Sequence, residues 1–205
     1  MDLLRKYFPD FSEREIKQFK ILSSNLKEWN TKINLISRKD IDLLEERHLL
    51  HSLSIAKFIQ FNPGTKIIDI GTGGGFPGLP LAIIFPECTF TLVDSIAKKV
   101  KVVNELSSAL GLKNVNGIWS RAENINEKYD FVVSRAVAAF PQFYNWTKNL
   151  LAEGSKNNRK NGIIYLKGGD LSQELAGFGN RIVIEAIKQW FEEEWFHEKK
   201  IVYWS

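Results

Sequence analysis

Residues 67–84, IIDIGTGGGFPGLPLAII, decide the fold, because they place an apolar run, a glycine-rich turn and a helix-like run in direct succession. Five of the eight residues 71–78 are glycine. Glycine adopts backbone angles that other residues resist, and it lets another group approach more closely than a β-carbon allows. The stretch therefore indicates either a ligand over a strand-to-helix turn or a tightly packed surface loop.

Short apolar runs continue beyond this turn. They lie at 66–70, 89–94, 114–119, 129–136 and 161–167, and they alternate with helical stretches at 76–85, 95–111 and 140–151 and a polar loop at 120–128. Runs that are apolar on both faces fit a parallel sheet covered by helices, and this alternation predicts a doubly wound α/β fold. The tail, with NRIVIEAIKQWF and then KKIVYW, predicts two longer strands joined by a short turn, as an antiparallel pair at one edge.

The amino-terminal part of the chain predicts helices. Ser12 and Glu15 have the spacing of a capping box, and apolar residues then recur at helical spacing over roughly 20 residues. Asp40 can cap a second helix through IDLLEERHLLHSLSIAKFI. We therefore predict a single domain spanning the chain, with an amino-terminal helical extension at 1–62 and an α/β core at 63–205.

The composition limits the kind of protein. The chain has 205 residues, of which 44% are hydrophobic and 25% charged, as is ordinary for a soluble globular protein. No apolar run approaches the roughly 20 residues that cross a bilayer, and the start of the chain lacks the apolar core of a signal peptide. Cys88 is the only cysteine, so no internal disulfide is expected. These features predict a cytoplasmic protein, and the net charge of +4 is compatible with a polyanionic partner.

The context of the glycines favours a nucleotide-like ligand, because they follow a strand and precede a helix. They fall at Gly71, Gly73 and Gly75, whereas the dinucleotide fingerprint G-x-G-x-x-G requires glycine at 76, where the chain has Phe76. The G-K-[ST] sequence of a phosphate-binding P-loop is also missing. An adenosyl ligand without phosphate fits better than NAD, so the predicted cofactor is S-adenosylmethionine.

Two carboxylates frame this loop. Asp69 precedes it and can hold loop amides or an amino group of the ligand. Asp94 ends the next strand, where a carboxylate can accept both ribose hydroxyls of an adenosine, and it can also cap the following helix. We therefore predict that Asp94 contacts the ribose, and that Asp69, Gly73 and Gly75 belong to the same cofactor site.

Several motifs are more specific than the glycines. They are WNTKINLIS at 29–37, RHLLHSL at 47–53, DIGTGGGFPGLPLAI at 69–83, LVDSIAKKVKVVNEL at 92–106, SRAEN at 120–124, SRAVA at 134–138 and LKGG at 166–169. On these motifs the chain resembles the RsmG (GidB) family of bacterial 16S ribosomal RNA methyltransferases over nearly its whole length. The likeness is looser after residue 170, and His51 stands where the family usually has aspartate.

This resemblance implies a class I, Rossmann-like methyltransferase with a seven-strand, mostly parallel sheet, a carboxyl-terminal antiparallel pair and an amino-terminal helical extension. It implies methylation of N7 of a guanine in the decoding-region loop of 16S rRNA, with S-adenosylmethionine as donor and either naked RNA or the small ribosomal subunit as partner. It also implies donor contacts at the positions that match the family motifs, which are Gly71, Phe76, Ala122, Glu123 and Arg135.

The residues agree with N7 chemistry. Arg135 ends the fourth predicted strand, where a fixed cation can hold the donor's carboxylate or an RNA phosphate, so it is the predicted catalytic residue. The N/D-P-P-Y/F turn of amino-group methyltransferases is replaced there by SRAV, and Cys88 fits a small buried hydrophobe better than a nucleophile. Guanine N7 carries a lone pair and no proton, so positioning can supply most of the rate without a base.

The remaining polar residues leave alternatives open. His48 and His51 lie three apart on a helix without an evident third ligand, so no metal site is predicted. Candidate phosphate contacts, each of which can equally be a solvated surface charge, are Lys98, Lys99, Lys101, Lys156, Arg159, Lys160 and Lys167. The rival functions are an S-adenosylmethionine enzyme acting on a small molecule or protein, and an RNA-binding module that has lost the donor. No membrane association is predicted, and the sequence makes no prediction about the oligomeric state.

Overall fold

Seven strands form one sheet in the computed structural model, which describes residues 1–37 and 39–205. The strands are β1 (Lys66–Ile70), β2 (Thr89–Asp94), β3 (Val115–Trp119), β4 (Phe131–Arg135), β5 (Gly162–Gly168), β6 (Ile182–Ala186) and β7 (Lys199–Trp204). They lie in the order β3-β2-β1-β4-β5-β7-β6. Strands β1 to β5 pair in parallel, and β7 is antiparallel to both β5 and β6. The predicted α/β fold, with its antiparallel pair at one edge, is confirmed.

Alternate residues of the strands enter two separate apolar layers, because successive side chains of a strand face opposite sides of the sheet. Ile67 and Phe131 join the layer that contains the amino-terminal helices. Ile68 and Val132 join the opposite layer, which contains Phe140 and other residues near β5. The sheet is therefore covered on both faces, as its continuous apolar strands predict.

Helices supply most of this cover. They are α1 (Asp2–Tyr7), α2 (Glu13–Asn30), α3 (His51–Phe58), α4 (Gly78–Ile84), α5 (Ala97–Ala109), α6 (Phe140–Thr147) and α7 (Ser172–Leu175). The capping box of α2 is confirmed, because Glu15 N donates to Ser12 Oγ and Ser12 N donates to the Glu15 carboxylate. Within residues 1–37 and 39–205, the helices lack the combined length and apolar character that crossing a membrane requires.

The predicted helix after Asp40 differs from the structure. Residues Ile41–Leu43 form a 3-10 turn, Glu45–Leu50 form a π-helical segment, and the α-helix begins only at His51. The Asp40 carboxylate does not cap a helix, because it accepts hydrogen bonds from Ser37 and Arg47 instead. π-Helical turns are rare and occur frequently at functional sites, which directs attention to this segment.

The tail also differs from the prediction of two longer strands joined by a short turn. The β6 strand ends at Ala186, and 3-10 turns at Ile187–Gln189 and Glu194–Phe196 occupy the connection to β7. The side chains of Ile187, Phe191 and Phe196 in this connection are fully buried. Their apolar pattern therefore reflects core packing of an irregular segment rather than continuation of the strand.

The parallel strands define two edges of the sheet with different roles. The carboxyl edge carries the last residues of β1 to β5 together with the start of β7, since β7 runs in the opposite direction. The amino edge carries the basic loop at 153–162, where Asn62 N donates to Asn157 Oδ1 and Lys156 pairs with Asp130. Ligands of open α/β sheets bind at the carboxyl edge, so the functional site is expected there.

Candidate active site

Two neighbouring cavities open at the carboxyl edge. The small cavity, of about 260 Å³, is lined among others by Gly71, Asp94, Ser95, Ala122, Glu123 and Trp146. The large cavity, of about 550 Å³, is lined among others by Arg47, His48, Arg135, Lys167, Trp195 and Lys199. Val137 lines both, so the two cavities share a wall.

Asp94 is buried at the end of β2, beside the small cavity. Its Oδ2 accepts a hydrogen bond from Gly73 N at 3.0 Å, and its Oδ1 accepts one from Ile96 N at 2.9 Å. The carboxylate therefore ties the glycine loop to the start of α5. Each carboxylate oxygen can accept a second hydrogen bond, so the group retains capacity for two hydroxyl donors.

The glycines of the loop have different structural roles. Gly71, Gly73 and Gly75 have φ angles of +71°, +59° and +94°, a region that favours glycine. A β-carbon on Gly75 would lie 2.3 Å from the Leu79 side chain, so packing of the loop on α4 excludes one. A β-carbon on Gly73 would meet nothing closer than 3.9 Å, so open space lies beside the backbone there.

Asp69 is fully buried beneath the loop. Its Oδ2 accepts hydrogen bonds from Thr72 Oγ1 at 2.7 Å and Gly78 N at 2.9 Å, while its Oδ1 has no partner among the described residues. Burial raises the pKa of Asp69 to about 7, although the hydrogen bonds from Thr72 and Gly78 and the charge of Arg135 oppose the shift. Asp69 therefore fastens the loop to α4 and keeps one free oxygen.

Arg135 faces the large cavity. Its Nη1 donates to the Arg47 carbonyl oxygen at 3.2 Å, its Nη2 lies 2.8 Å from His48 Nδ1, and its guanidinium carbon lies 5.0 Å from the centre of the Phe76 ring. Burial lowers the pKa of Arg135 to about 10, against the opposing charge of Asp69, so the group is cationic at neutral pH. Arg135 is thus fixed on three sides at the end of β4.

The segment after β4 forms the wall between the cavities. Ala136 has a φ of +51°, which non-glycine residues rarely adopt. The amides of Val137 and Ala138 both donate to the Tyr165 hydroxyl at 2.8 Å, and a β-carbon on Gly71 would lie 2.5 Å from Val137. Tyr165 therefore holds a strained turn against the glycine loop, and strain of this kind clusters at functional sites.

The predicted cofactor residues separate into groups by position. Gly71, Asp94, Ala122 and Glu123 line the small cavity together. Asp69 lies under the loop, Gly73 donates to Asp94, and Gly75 packs on α4. Phe76 is buried against His48 and Arg135, so it borders the group that faces the large cavity.

Comparison with known proteins identifies the family of this chain. The family profile described as rRNA small subunit methyltransferase G, GidB, matches residues 15–201. The chain belongs to this family. Proteins named Ribosomal RNA small subunit methyltransferase G are similar to it over 203 residues: that of Christiangramia forsetii is 54% identical and covers 99% of this chain and 96% of its own, and that of Cytophaga hutchinsonii is 50% identical and covers 99% and 98%.

Solved structures share the fold at low sequence identity. A SAM-dependent methyltransferase from Aquifex aeolicus superposes with a TM-score of 0.58 at 16% identity, over 82% of this chain and 98% of its own. The precorrin-6y C5,15-methyltransferase of Geobacter metallireducens gives a TM-score of 0.56 at 11% identity, over 83% and 90%. The class I methyltransferase fold and the membership in the GidB family, both predicted from the sequence, are confirmed. S-adenosylmethionine-dependent methylation of 16S rRNA is the activity of this family.

His48 and His51 are both buried. Burial and the charges of Arg135 and Arg47 hold the pKa of His48 at about 3, although Asp40 opposes them. Burial, with the charges of Arg135 and Lys199, also holds the pKa of His51 well below its ordinary value. Within residues 1–37 and 39–205, no group of three or more histidine, cysteine or acidic side chains has a metal-binding arrangement.

The predicted phosphate contacts divide between the two edges of the sheet. Lys98, Lys99 and Lys101 lie at the start of α5, next to the carboxyl edge, and Lys167 lines the large cavity. Lys156, Arg159 and Lys160 lie in the loop at the amino edge. Arg159 Nε donates to the Phe58 carbonyl oxygen, and its guanidinium carbon lies 3.8 Å from the Phe58 ring centre. This loop therefore lies away from both cavities, and Arg159 has a packing role.

Sequence patterns did not identify several residues at the carboxyl edge. Trp195 reaches the large cavity from the irregular tail, Lys199 from the start of β7 and Arg47 from the π-helical segment. Trp119 ends β3 with 68% of its side chain exposed, and its Nε1 donates to the Ser95 carbonyl oxygen at 3.0 Å. An aromatic residue at the end of a strand beside the cofactor loop is the one local signal that indicates such a position.

Proposed function

We propose that this chain transfers the methyl group of S-adenosylmethionine to N7 of a guanine in the decoding-region loop of 16S rRNA. The observation that carries the proposal is the pair of cavities at the carboxyl edge, which share Val137 as a wall. One is bordered by an acidic strand end and a glycine loop, and the other by cations and aromatic rings. A donor and a base held on the two sides of this wall would bring methyl group and acceptor together.

The small cavity suits the donor. Asp94 has lone pairs for the ribose hydroxyls, and the absent β-carbon of Gly73 leaves room for a ligand against the backbone. Ala122 and Glu123 follow β3, where the adenine would lie, and the Trp146 side chain can pack against its ring. The free Oδ1 of Asp69 under the loop is an acceptor for which no described residue supplies a donor. These groups fit S-adenosylmethionine, which supplies an electrophilic methyl group on a sulfonium.

The large cavity suits an acceptor that needs no general base. Attack by the N7 lone pair forms the nitrogen–carbon bond as the sulfur–carbon bond breaks, and the bond electrons stay on sulfur. No proton leaves N7, so the chain has only to orient the base and exclude water. This agrees with His48, whose low pKa and contact with Arg135 suit it poorly for accepting a proton.

The carboxyl edge also offers a face for RNA. Trp119 presents an exposed indole next to the donor site, on which an unstacked base can lie. Lys98 and Arg121 are exposed beside it, and Lys199 borders the large cavity, so phosphates on either side of the target can be neutralised. We propose that 16S rRNA or the assembled small subunit binds this face, and that the reaction takes place in the cytoplasm.

The test is methyl transfer from labelled donor to small ribosomal subunits of a strain that lacks this protein, followed by mapping of the labelled base. The proposal predicts label on one guanine of the decoding-region loop. Subunits assembled with 7-deazaguanine at that position should take up no label, because carbon replaces N7. Label on an exocyclic amine, on ribose or on protein would refute the proposal.

A further inference from the structure

The hydrogen bonding of His48 fixes which of its ring nitrogens carries a proton. Arg135 Nη2 lies 2.8 Å from His48 Nδ1, and a guanidinium can only donate. Nδ1 is therefore the acceptor, and a neutral imidazole then carries its proton on Nε2. Burial and the nearby Arg135 and Arg47 charges keep the ring neutral, since they hold its pKa at about 3.

The free side of this ring belongs to the large cavity. His48 lines the cavity, and its ring lies on Phe76 with 5.3 Å between ring centres. Among the described residues, none accepts a hydrogen bond from His48 Nε2. The ring therefore offers the cavity a rigid N–H donor that carries no charge.

Two of the cationic donors around the cavity are paired with carboxylates. Arg47 Nη1 pairs with Asp40 at 2.6 Å, and Lys167 Nζ pairs with Glu174 at 2.8 Å. Arg47 Nε and His51 Nε2 have no partner among the described residues, but both atoms are buried. The Lys199 ammonium lies 4.4 Å from the centre of the Trp195 ring. His48 is a neutral donor in this cavity whose orientation is fixed by a hydrogen bond from Arg135.

Guanine and adenine differ in one group next to N7. Guanine presents the acceptors N7 and O6 on the same edge, whereas adenine presents N7 and the N6 amino donor. In N7 methylation the N7 lone pair must stay free for the methyl group, so recognition of this edge depends on the neighbouring group. A fixed hydrogen-bond donor there pairs with O6 of guanine but faces the N6 amino donor of adenine. A neutral donor also avoids repelling the positive charge that the base acquires.

We propose that His48 Nε2–H donates a hydrogen bond to O6 of the target guanine and makes the enzyme specific for guanine. The inference rests on the proposed function, because it takes the large cavity as the acceptor site. It assigns Arg135 a positioning role, since Arg135 holds His48 in the required tautomer and orientation.

Two substitutions of His48 distinguish its hydrogen-bond donor, Nε2, from its contact with Arg135 through Nδ1. In His48→Asn, the amide oxygen can replace Nδ1 as acceptor for Arg135, but the distal donor is lost. In His48→Gln, the amide nitrogen can replace Nε2 as donor. The same change at an exposed histidine, His197→Asn, is the matched control. Calorimetric titration with S-adenosylmethionine and thermal unfolding report whether each variant remains folded with an intact methyl-donor site.

The substrates are small subunits assembled with guanine or 2-aminopurine at the target, since 2-aminopurine keeps N7 and the 2-amino group but lacks O6. The quantity measured is the ratio of kcat/KM for guanine to that for 2-aminopurine. Dividing the ratio of a variant by that of the wild type cancels the different reactivity of the two bases. We expect this ratio to fall about tenfold or more in His48→Asn, the size of one missing hydrogen bond. We expect His48→Gln to keep most of the wild-type ratio, and His197→Asn to keep all of it.

An unchanged ratio in His48→Asn would overturn the inference while leaving the proposed function intact. Failure of the wild type to methylate guanine, or methylation of a 7-deazaguanine target, would refute the proposed function and the inference with it. A ratio that falls equally in His48→Asn and His197→Asn would also overturn the specific role of His48.

Discussion

The small and large cavities share a wall but are assembled differently. The small cavity takes its polar residues from the end of β2 and from short segments that directly follow β2 and β3. The large cavity takes its residues from the π-helical segment before α3, the ends of β4 and β5, and the irregular tail before β7. One site is therefore a property of the parallel sheet, whereas the other depends on parts of the chain that meet only in the folded protein.

This difference separates two tasks. A parallel sheet brings its strand ends together in any class I methyltransferase, so the small cavity can serve the donor common to such enzymes. The parts that build the large cavity vary more freely around the sheet, because loops and irregular segments tolerate change. Acceptor choice is therefore expected to lie in the large cavity, and substitutions in the two cavities should affect different steps.

The largest effect is expected for Arg135→Ala. Removing the guanidinium frees His48 and uncovers Phe76, and misplacement of reacting groups by about 1 Å can cost about 10²-fold in rate. We expect the single-turnover methylation rate to fall by about that factor. Calorimetric donor affinity should change much less, because Arg135 lines the large cavity. A donor affinity that falls as steeply as the rate would support the alternative prediction that Arg135 holds the donor's carboxylate.

Asp94→Ala should affect the small cavity. It removes a charge-assisted contact with the ribose and releases the Gly73 and Ile96 amides, so donor affinity should fall by about 1.5–3 kcal/mol. Isothermal calorimetry measures this, with the exposed Asp170→Ala as control. Unchanged donor affinity in a folded Asp94→Ala protein would show that the small cavity is not the donor site.

Trp119→Ala tests whether RNA covers the edge beyond the two cavities. Loss of a stacked base should weaken RNA affinity by about 1–3 kcal/mol, while donor affinity stays constant. Trp119→Phe should restore part of the loss, because an aromatic face remains. Fluorescence anisotropy with a decoding-region RNA measures the affinity. Equal affinity of wild type and Trp119→Ala would show that this indole does not contact RNA.

Charge reversal at two lysines compares the edges of the sheet. Lys98→Glu at the carboxyl edge should make the dependence of log K on log salt less steep, by about 1 for each phosphate that the variant no longer neutralises. Lys160→Glu at the amino edge carries the same charge change and should leave the slope unaltered. RNA titrations over a range of salt concentrations measure both slopes. The opposite pattern would place the RNA at the loop 153–162.

Asp69 is expected to make the stability of the fold depend on pH. Its pKa rises from 3.8 in an ordinary setting to about 7 in the folded protein. Between these values the folded state binds more protons than the unfolded state, so this group makes stability fall as pH rises from about 4 to 7 and has no further effect above. The free energy of unfolding should decrease by about 3–4 kcal/mol over this range relative to Asp69→Asn, measured by urea denaturation. Parallel curves for the two proteins would contradict the raised pKa.

The sequence predicts the small cavity better than the large one for a physical reason. Gly71 and Asp94 stand next to strands that local apolar patterns reveal, and the sheet then brings them together. His48 and Trp195 have no such local signal, because their helix and tail depart from regular periodicity. The family resemblance indicates Arg135, but only the contact with His48 Nδ1 shows what it positions. The basic sequence around Arg159 indicates a candidate phosphate contact. The packing of Arg159 on Phe58 is visible only in the folded structure.

The most direct test of the two-cavity account is the structure of this protein bound to the small ribosomal subunit with S-adenosylhomocysteine as the donor product. We expect the ribose hydroxyls at Asp94, the adenine against Ala122 and Glu123, and the sulfur directed past Val137. We also expect an unstacked guanine in the large cavity, with N7 facing the sulfur and O6 at His48 Nε2. A nucleoside of the donor product in the large cavity, or a target base bound outside it, would contradict the account.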